Sequence, residues 1–387
     1  MMKCFLIQSN QPPVQKNYNF FLTGATGILG SHVLFELLLK YIKKELVGKI
    51  VLLVRPDKKN TARQRILSVL TSSAIPLWLK KIPIDDLLSH IEIVESGLND
   101  FSANKLPKGI KKYTVIHAAA SVNLGVNEHS GIEIEENNFK GTLRLLHEIT
   151  PFASQFVYVS TAYSSGHRAG NIDNDFLSLE KFDFRNHYEF FKNKTEKYIE
   201  QYCPLHGIDW KIFRPSIICG RLIDAPYYAI SRFMVFYLFA RYAVAMKSRM
   251  DGAKLRLHVP ENAQINIVPV DFVAKSIIEG LSSPIQQLNI VHPENVSCRS
   301  LFKNGFGLID FTRYTFLETM PLPENPVEKM LYSTVGQQLG PYIDTPSHHF
   351  DTSALKKLMP DIMIPDIEPH FVSLLEFAAS RKFVPLY

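Results

Sequence analysis

The stretch TGATGILG, Thr23 to Gly30, decides how the rest of the chain is read. It sets Gly24, Gly27 and Gly30 in a GxxGxxG spacing. A short apolar run, FFLTG, leads into it, and Ser31 to Lys44 follow with Val33, Leu34, Leu37, Leu38 and Tyr41 at helical spacing. Strand, glycine turn and helix in that order make a cradle for a dinucleotide. The first glycine permits the tight turn, the second lets the backbone approach a pyrophosphate, and the third allows close helix–strand packing. The helix N-terminus then faces the phosphates. The cofactor contacts expected here are Thr23, Gly24, Thr26, Gly27, Ile28, Leu29 and Gly30.

Working outward, KIVLLV (49–54) is a continuous apolar run, as expected of a parallel strand covered on both faces. HIEIVES (90–96), YTVIHAA (113–119), FVYVS (156–160), WKIFRPS (210–216) and QLNIVH (287–292) read as further strands. Helical patterns lie between them at 133–148, 187–202 and 271–281. This alternation predicts an α/β fold, a Rossmann-type doubly wound parallel sheet. Residues 19–225 with 255–292 are assigned to the dinucleotide-binding domain. Residues 226–254 with 293–387 find no place in the sheet and are assigned to a smaller, mostly helical substrate-binding cap.

Apolar residues make up 46% of the 387 and charged residues 21%, with a net charge of +6, which suits a folded globular chain. No Lys/Arg stripe marks a nucleic-acid binder. Cys4, Cys203, Cys219 and Cys298 contain no CxxC pair, which argues against a zinc site or a disulfide framework and for a reducing compartment. The opening MMKCFLIQSNQPP is too short in apolar residues for a secretory signal. The most apolar stretch, Tyr227 to Met246, is interrupted by Arg232 and Arg241 and is read as a buried or interfacial helix. Its aromatic stripe suits either core packing or the lining of a tunnel for an acyl chain. The expectation is a cytoplasmic protein without a membrane span, with peripheral membrane contact and oligomeric state left open. His348-His349 is read as a surface loop and no metal is expected. Asp271 is read as the cap of the helix that follows it.

The second strand of an NAD-binding sheet usually ends in an acidic residue that holds the ribose 2′-hydroxyl. Here Arg55 stands at that place, followed by Lys58, Lys59 and Arg63, with Asp57 the opposing signal. A cation there pairs with a 2′-phosphate. NADP is therefore the expected cofactor, with Arg55 and Arg63 as its ligands.

Tyr188 and Lys192 lie four residues apart on one helix face. A phenol is a poor acid at neutral pH, and a nearby ammonium favours its ionised form. The same lysine can bind the nicotinamide ribose. A hydroxyl at the preceding strand end, Thr161 with Ser160 beside it, can hydrogen-bond a substrate carbonyl where negative charge develops.

TGATGILG, VIHAAA, NNFKGT (137–142), VSTAYSSG (159–166), YEFFK and IFRPSIICG (212–220) occur in an order that resembles the extended short-chain dehydrogenases/reductases. INIVPVDFVAKSI (265–277) is similar more particularly to the thioester-reductase and fatty acyl-CoA reductase branch, the male-sterility-type NAD-binding proteins. The resemblance covers residues 19 to 292. It implies Thr161, Tyr188 and Lys192 as the catalytic set, Thr161 being preferred because it stands five residues before Gly166. It also implies that Ala118 contacts the cofactor, that Asn138 supports the active-site backbone or a water beside the cofactor, and that Arg214, Pro215 and Ser216 lie beside nicotinamide and substrate. Its reaction is NADPH-dependent reduction of an acyl thioester, on CoA or a carrier, to an aldehyde or alcohol. Two departures stand out. Ser96-Gly97-Leu98 replaces Gly-Asp-Leu at the adenine, and Phe191 replaces the serine before the lysine. Two other readings keep the fold: a dehydrogenase or epimerase acting on a hydroxy-steroid, flavonoid or sugar nucleotide, and a non-catalytic NADP-binding regulator. His117, at a strand end, is read as a packed residue rather than an acid or base.

Overall fold

The computed structural model describes residues 16–175, 183–250, 252–344 and 348–387; Cys4 and the opening segment lie outside them. Seven strands form the central sheet: β1 Phe20–Thr23, β2 Ile50–Val54, β3 Ile91–Glu95, β4 Tyr113–His117, β5 Ala153–Val159, β6 Asp209–Pro215 and β7 Gln287–Ile290. All pair in parallel in the order β7-β6-β5-β4-β1-β2-β3. These are the seven runs that the apolar pattern singles out. The order reverses between β1 and β4, so their carboxyl ends open a crevice there.

The helices that matter to the site are α1 Ile28–Ile42, α2 Ala62–Leu70, α3 Glu128–Ile134, α4 Gly141–Ile149, α5 His187–Leu205, α6 Phe236–Met250 and α7 Val270–Gly280. One face of the sheet is covered by α1, α2 and α7, with Val33, Leu37, Ile66 and Ile277 fully buried against Leu22, Leu52 and Ile290. The other is covered by α4 and α5 through Leu145, Leu146 and Ile199. Each such side chain contributes about 1.5–3 kcal/mol, and burial on both sides is why β1, β2 and β4 carry no polar alternation, whereas the edge strand β3 exposes Glu92 and Glu95. A third cluster, centred on Phe236, Phe239, Phe302, Phe306 and Phe371, is the core of the cap.

The cap departs from the sequence reading in several places. Helix α6 begins only at Phe236; the preceding residues turn, with Tyr228 and Val235 at positive φ. Among the described residues no helix is long and apolar enough to cross a membrane. Leu255–His258, assigned to the sheet domain, pairs instead with Tyr314–Leu317 and buries Leu255 and Leu257 in the cap core. Conversely, Leu355 and Met359 of the C-terminal tail join the core under α1 and α7. His348–Phe350 is a short strand on Gly170–Ile172 rather than a loop, and His348 is buried. Asp271 does not cap α7, whose N-cap is Pro269. Its carboxylate accepts from the backbone of Ile223 and Asp224, both at 2.8 Å, and so pins the turn after β6.

Candidate active site

The glycine turn is built as its spacing requires. Gly24 has φ +79°, and a Cβ there would lie 2.7 Å from the Ala118 backbone; one on Gly30 would lie 2.1 Å from the Gly24 carbonyl oxygen. Gly27 begins α1 in extended conformation with no side-chain cap, leaving the helix N-terminus to an outside anion. Beneath the turn, Thr23 Oγ1 lies 2.7 Å from His117 Nδ1 and accepts from Ala119 N. His117 Nε2 meets Thr142 Oγ1 at 2.8 Å. His117 is thus packed between β1 and α4. Burial pulls its pKa down to about 3, as it does for His32, and for His348 with the Arg185 charge adding to burial.

A base depressed in this way binds fewer protons folded than unfolded. Its contribution is complete above pH 6.5 and is lost as pH falls toward 3. Unfolding by urea should show stability already declining between pH 6.5 and 5, above the range where carboxylates titrate. A flat profile there would mean that these histidines charge without cost.

A cavity of about 820 Å³ opens over the crevice. Thr23, Gly24, Thr26, Gly27, Ile28, Leu29, Gly30, Arg55, Ala118, Pro215 and Ser216 line it, and so do Thr161, Tyr188 and Lys192. Ser216 Oγ is buried there with no hydrogen-bond partner in the described residues. An open helix N-terminus, the glycine cradle and this unmatched hydroxyl fit a dinucleotide. Asn138 stands behind the wall: its Oδ1 accepts from Ser121 N and its Nδ2 donates to Ser121 O, both at 2.8 Å. The π-helical stretch Glu135–Lys140 turns it there. Two expected residues lie elsewhere. Arg63 points to solvent, and Arg214 is buried away from the cavity.

Helix α5 carries Tyr188, Lys192 and Glu196 one turn apart, on a face turned to the end of β5. Lys192 Nζ donates to Val159 O at 2.7 Å and lies 5.8 Å from the Tyr188 ring centre. Burial lowers Lys192 to about 7, with Glu196 opposing, while burial raises the Tyr188 phenol above its ordinary value. The expected pull of the ammonium on Tyr188 is therefore smaller than the desolvation of both groups. Thr161 Oγ1 accepts from Tyr163 N at 3.3 Å, and its own proton has no acceptor in the described residues. Ser160 is differently placed: its hydroxyl donates to Glu196. The hydroxyl free to meet a substrate is that of Thr161.

The sequence profile of the family described as male sterility protein matches residues 22–277, well over half the chain. The chain belongs to the male sterility protein family. Its relatives include a Drosophila melanogaster protein described as "Putative fatty acyl-CoA reductase", 26% identical over 326 residues, covering 76% of this chain and 57% of that protein. Another is fatty acyl-CoA reductase 1 of Gallus gallus, 30% identical over 158 residues, covering 40% of this chain and 30% of that protein. The chain thus spans only part of the length of these curated relatives. Among solved structures, the terminal R domain from the myxalamid PKS-NRPS biosynthetic pathway superposes with TM-score 0.67 at 20% identity, covering 96% of this chain and 93% of that one. UDP-glucuronic acid 4-epimerase from Bacillus cereus follows with TM-score 0.63 at 16% identity, covering 94% and 99%. At these identities the two structures share a fold with this chain.

This male sterility family member also holds site residues that pattern reading does not reach. Arg65 lines the cavity, where its Nη2 donates to Thr26 Oγ1 at 2.9 Å and its Nη1 donates to Arg55 O. The signal was present in Thr61-x-x-Gln64, a capping box that starts α2 and turns Arg65 inward and Arg63 outward. Glu196 gathers the Ser160 and Ser164 hydroxyls on one oxygen and Arg214 Nε and Nη2, at 2.9 and 2.7 Å, on the other. A narrow second cavity of about 30 Å³, walled by apolar side chains of the cap, shares Ile217, Val235 and Tyr342 with the large one.

Proposed function

We propose that the protein is an NADPH-dependent reductase of acyl thioesters, releasing a thiol and an aldehyde, or carrying the aldehyde on to the alcohol. The observation that carries this reading is the juxtaposition on one cavity: Thr161, Tyr188 and Lys192 line it together with Ile217, Val235 and Tyr342, which also wall the apolar pocket of the cap, and with Arg55 and Arg65 beside the end of β2. The names of the fatty acyl-CoA reductase relatives and of the reductase domain agree with it.

The cofactor, when bound, supplies the hydride to the thioester carbonyl carbon. Thr161 donates its free proton to the carbonyl oxygen and so binds the developing oxyanion. Tyr188 transfers a proton to that oxygen, and collapse of the resulting hemithioacetal expels the thiol. Lys192 orders the nicotinamide side of the site from its seat on Val159 O. Beyond the reacting centre, the apolar walls at Ile217, Val235 and Tyr342 suit a hydrocarbon chain. Their one polar side-chain group, the Tyr342 hydroxyl, is already engaged by Asn186 Nδ2 at 2.9 Å, so they offer a sugar little to hydrogen-bond.

NADPH oxidation against acyl-CoAs, hydroxy-steroids and sugar nucleotides, with products identified by mass spectrometry, tests the reading. Oxidation matched by thiol release with acyl-CoAs is expected. Turnover of sugar nucleotides alone would replace this proposal with the epimerase reading. Arg55→Ala should weaken NADPH binding by about tenfold, the worth of one charge-assisted contact, and leave NADH binding unchanged. Equal losses for both would remove Arg55 from the 2′-phosphate.

A further inference from the structure

Three guanidinium groups stand on the wall of the large cavity, one each from the β2 end (Arg55), α2 (Arg65) and the cap (Arg232). Their compensation is poor. Asp57 reaches only Arg65, at 3.5 Å, and the side chains of Arg55 and Arg232 make no ion pair or hydrogen bond among the described residues. Glu133, also on the wall, is already committed to Ser121 and Asn123. Arg55 and Arg232 both lie near enough to Arg65 for their charges to oppose its own. Asp100, on the same wall, forms an ion pair with none of the three among the described residues, so cations remain in excess, and like charges in excess around a concave wall mark a site for a polyanion.

Arg55 and Arg65 stand at the place of a ribose 2′-phosphate. Arg232 comes from a different direction. Its neighbour Ser231 accepts from Leu386 N at 2.9 Å, and Tyr387 next along donates to Ser31 Oγ at 2.6 Å, within the first turns of α1. The Arg232 charge acts on the Tyr387 phenol as well as on Arg65, whose Nη2 is bound to Thr26 in the glycine turn. Arg232 is therefore held at the N-terminal end of α1. That end would face the pyrophosphate of a dinucleotide held in the glycine turn.

We propose that Arg232 is a ligand of the cofactor pyrophosphate, supplied by the cap, so that the dinucleotide is gripped from the cap as well as from the sheet. The proposal rests on the reading of the cavity as a dinucleotide site. Because pyrophosphate is common to both nicotinamide dinucleotides, Arg232 should not discriminate between them, whereas Arg55 should.

Equilibrium titration of NADPH and NADH by fluorescence, with the wild-type chain, Arg232→Gln and Arg55→Ala, separates the two roles. Arg232→Gln should weaken both cofactors by the same factor, about tenfold, with Arg232→Lys recovering part of it. Its melting temperature should stay at the wild-type value, since the side chain is exposed. Loss of NADPH binding alone would make Arg232 a 2′-phosphate ligand and overturn the assignment, as would unchanged binding of both. Wild-type protein that binds neither dinucleotide would overturn the cavity reading and this proposal together.

Discussion

Tyr188→Phe is expected to lower turnover by about 10²–10⁴, the usual worth of a positioned proton donor, while leaving the affinity for NADPH unchanged. The phenol hydroxyl makes no hydrogen bond to the described residues, so its removal leaves no protein group unsatisfied, and the ring stays to pack against Lys192. Turnover and cofactor affinity should therefore separate cleanly. Stopped-flow measurement of hydride transfer, alongside NADPH titration, checks this. Unchanged turnover would take Tyr188 out of the chemistry. Lys192→Met should instead lose both, because Nζ also holds the strand end through Val159 O.

Glu196→Ala should destabilise the fold by about 3–5 kcal/mol, as expected when one partner of a buried ion pair is removed. Arg214 and Glu196 are 1% and 2% exposed, so water cannot replace the lost contacts. The change strips Arg214 of two hydrogen bonds and leaves Ser160 and Ser164 without their shared acceptor. In a chain of this size the melting temperature should fall by about four to six degrees. Adding Arg214→Met to Glu196→Ala should recover much of the loss, because the uncompensated charge is gone. A single variant that melts with the wild type would show that the pair contributes nothing net. Loss of activity beyond loss of stability would show that Glu196 also sets Thr161, which lies between the two serines it holds.

Several features of this site were legible in one dimension. The glycine spacing, the apolar runs that became β1 to β7, and the four-residue interval from Tyr188 to Lys192 all depend on local periodicity. Backbone hydrogen bonding imposes that periodicity on any chain that forms these elements. Features that depend on phase between elements were not legible. Arg63 and Arg65 differ by two positions, yet each residue turns a helix by about 100°. Only the start of α2 at Thr61 decides which of the two faces the cavity.

By itself, then, the order of residues determined a parallel sheet with a dinucleotide cradle at its centre and a hydroxyl, phenol and ammonium beside it. The tertiary structure alone decided how distant side chains pair. It turned Ser160 to Glu196 and left Thr161 free, and it buried Arg214 in an ion pair instead of beside the nicotinamide. It also aimed Asp271 at the turn after β6, gave Leu255–His258 to the cap, and set Arg232 on the wall of the same cavity as the glycine turn. The physical reason is common to all of these. A strand or helix is selected by its own backbone and pattern, whereas a buried charge or hydroxyl takes whatever partner the packing of the elements brings within reach.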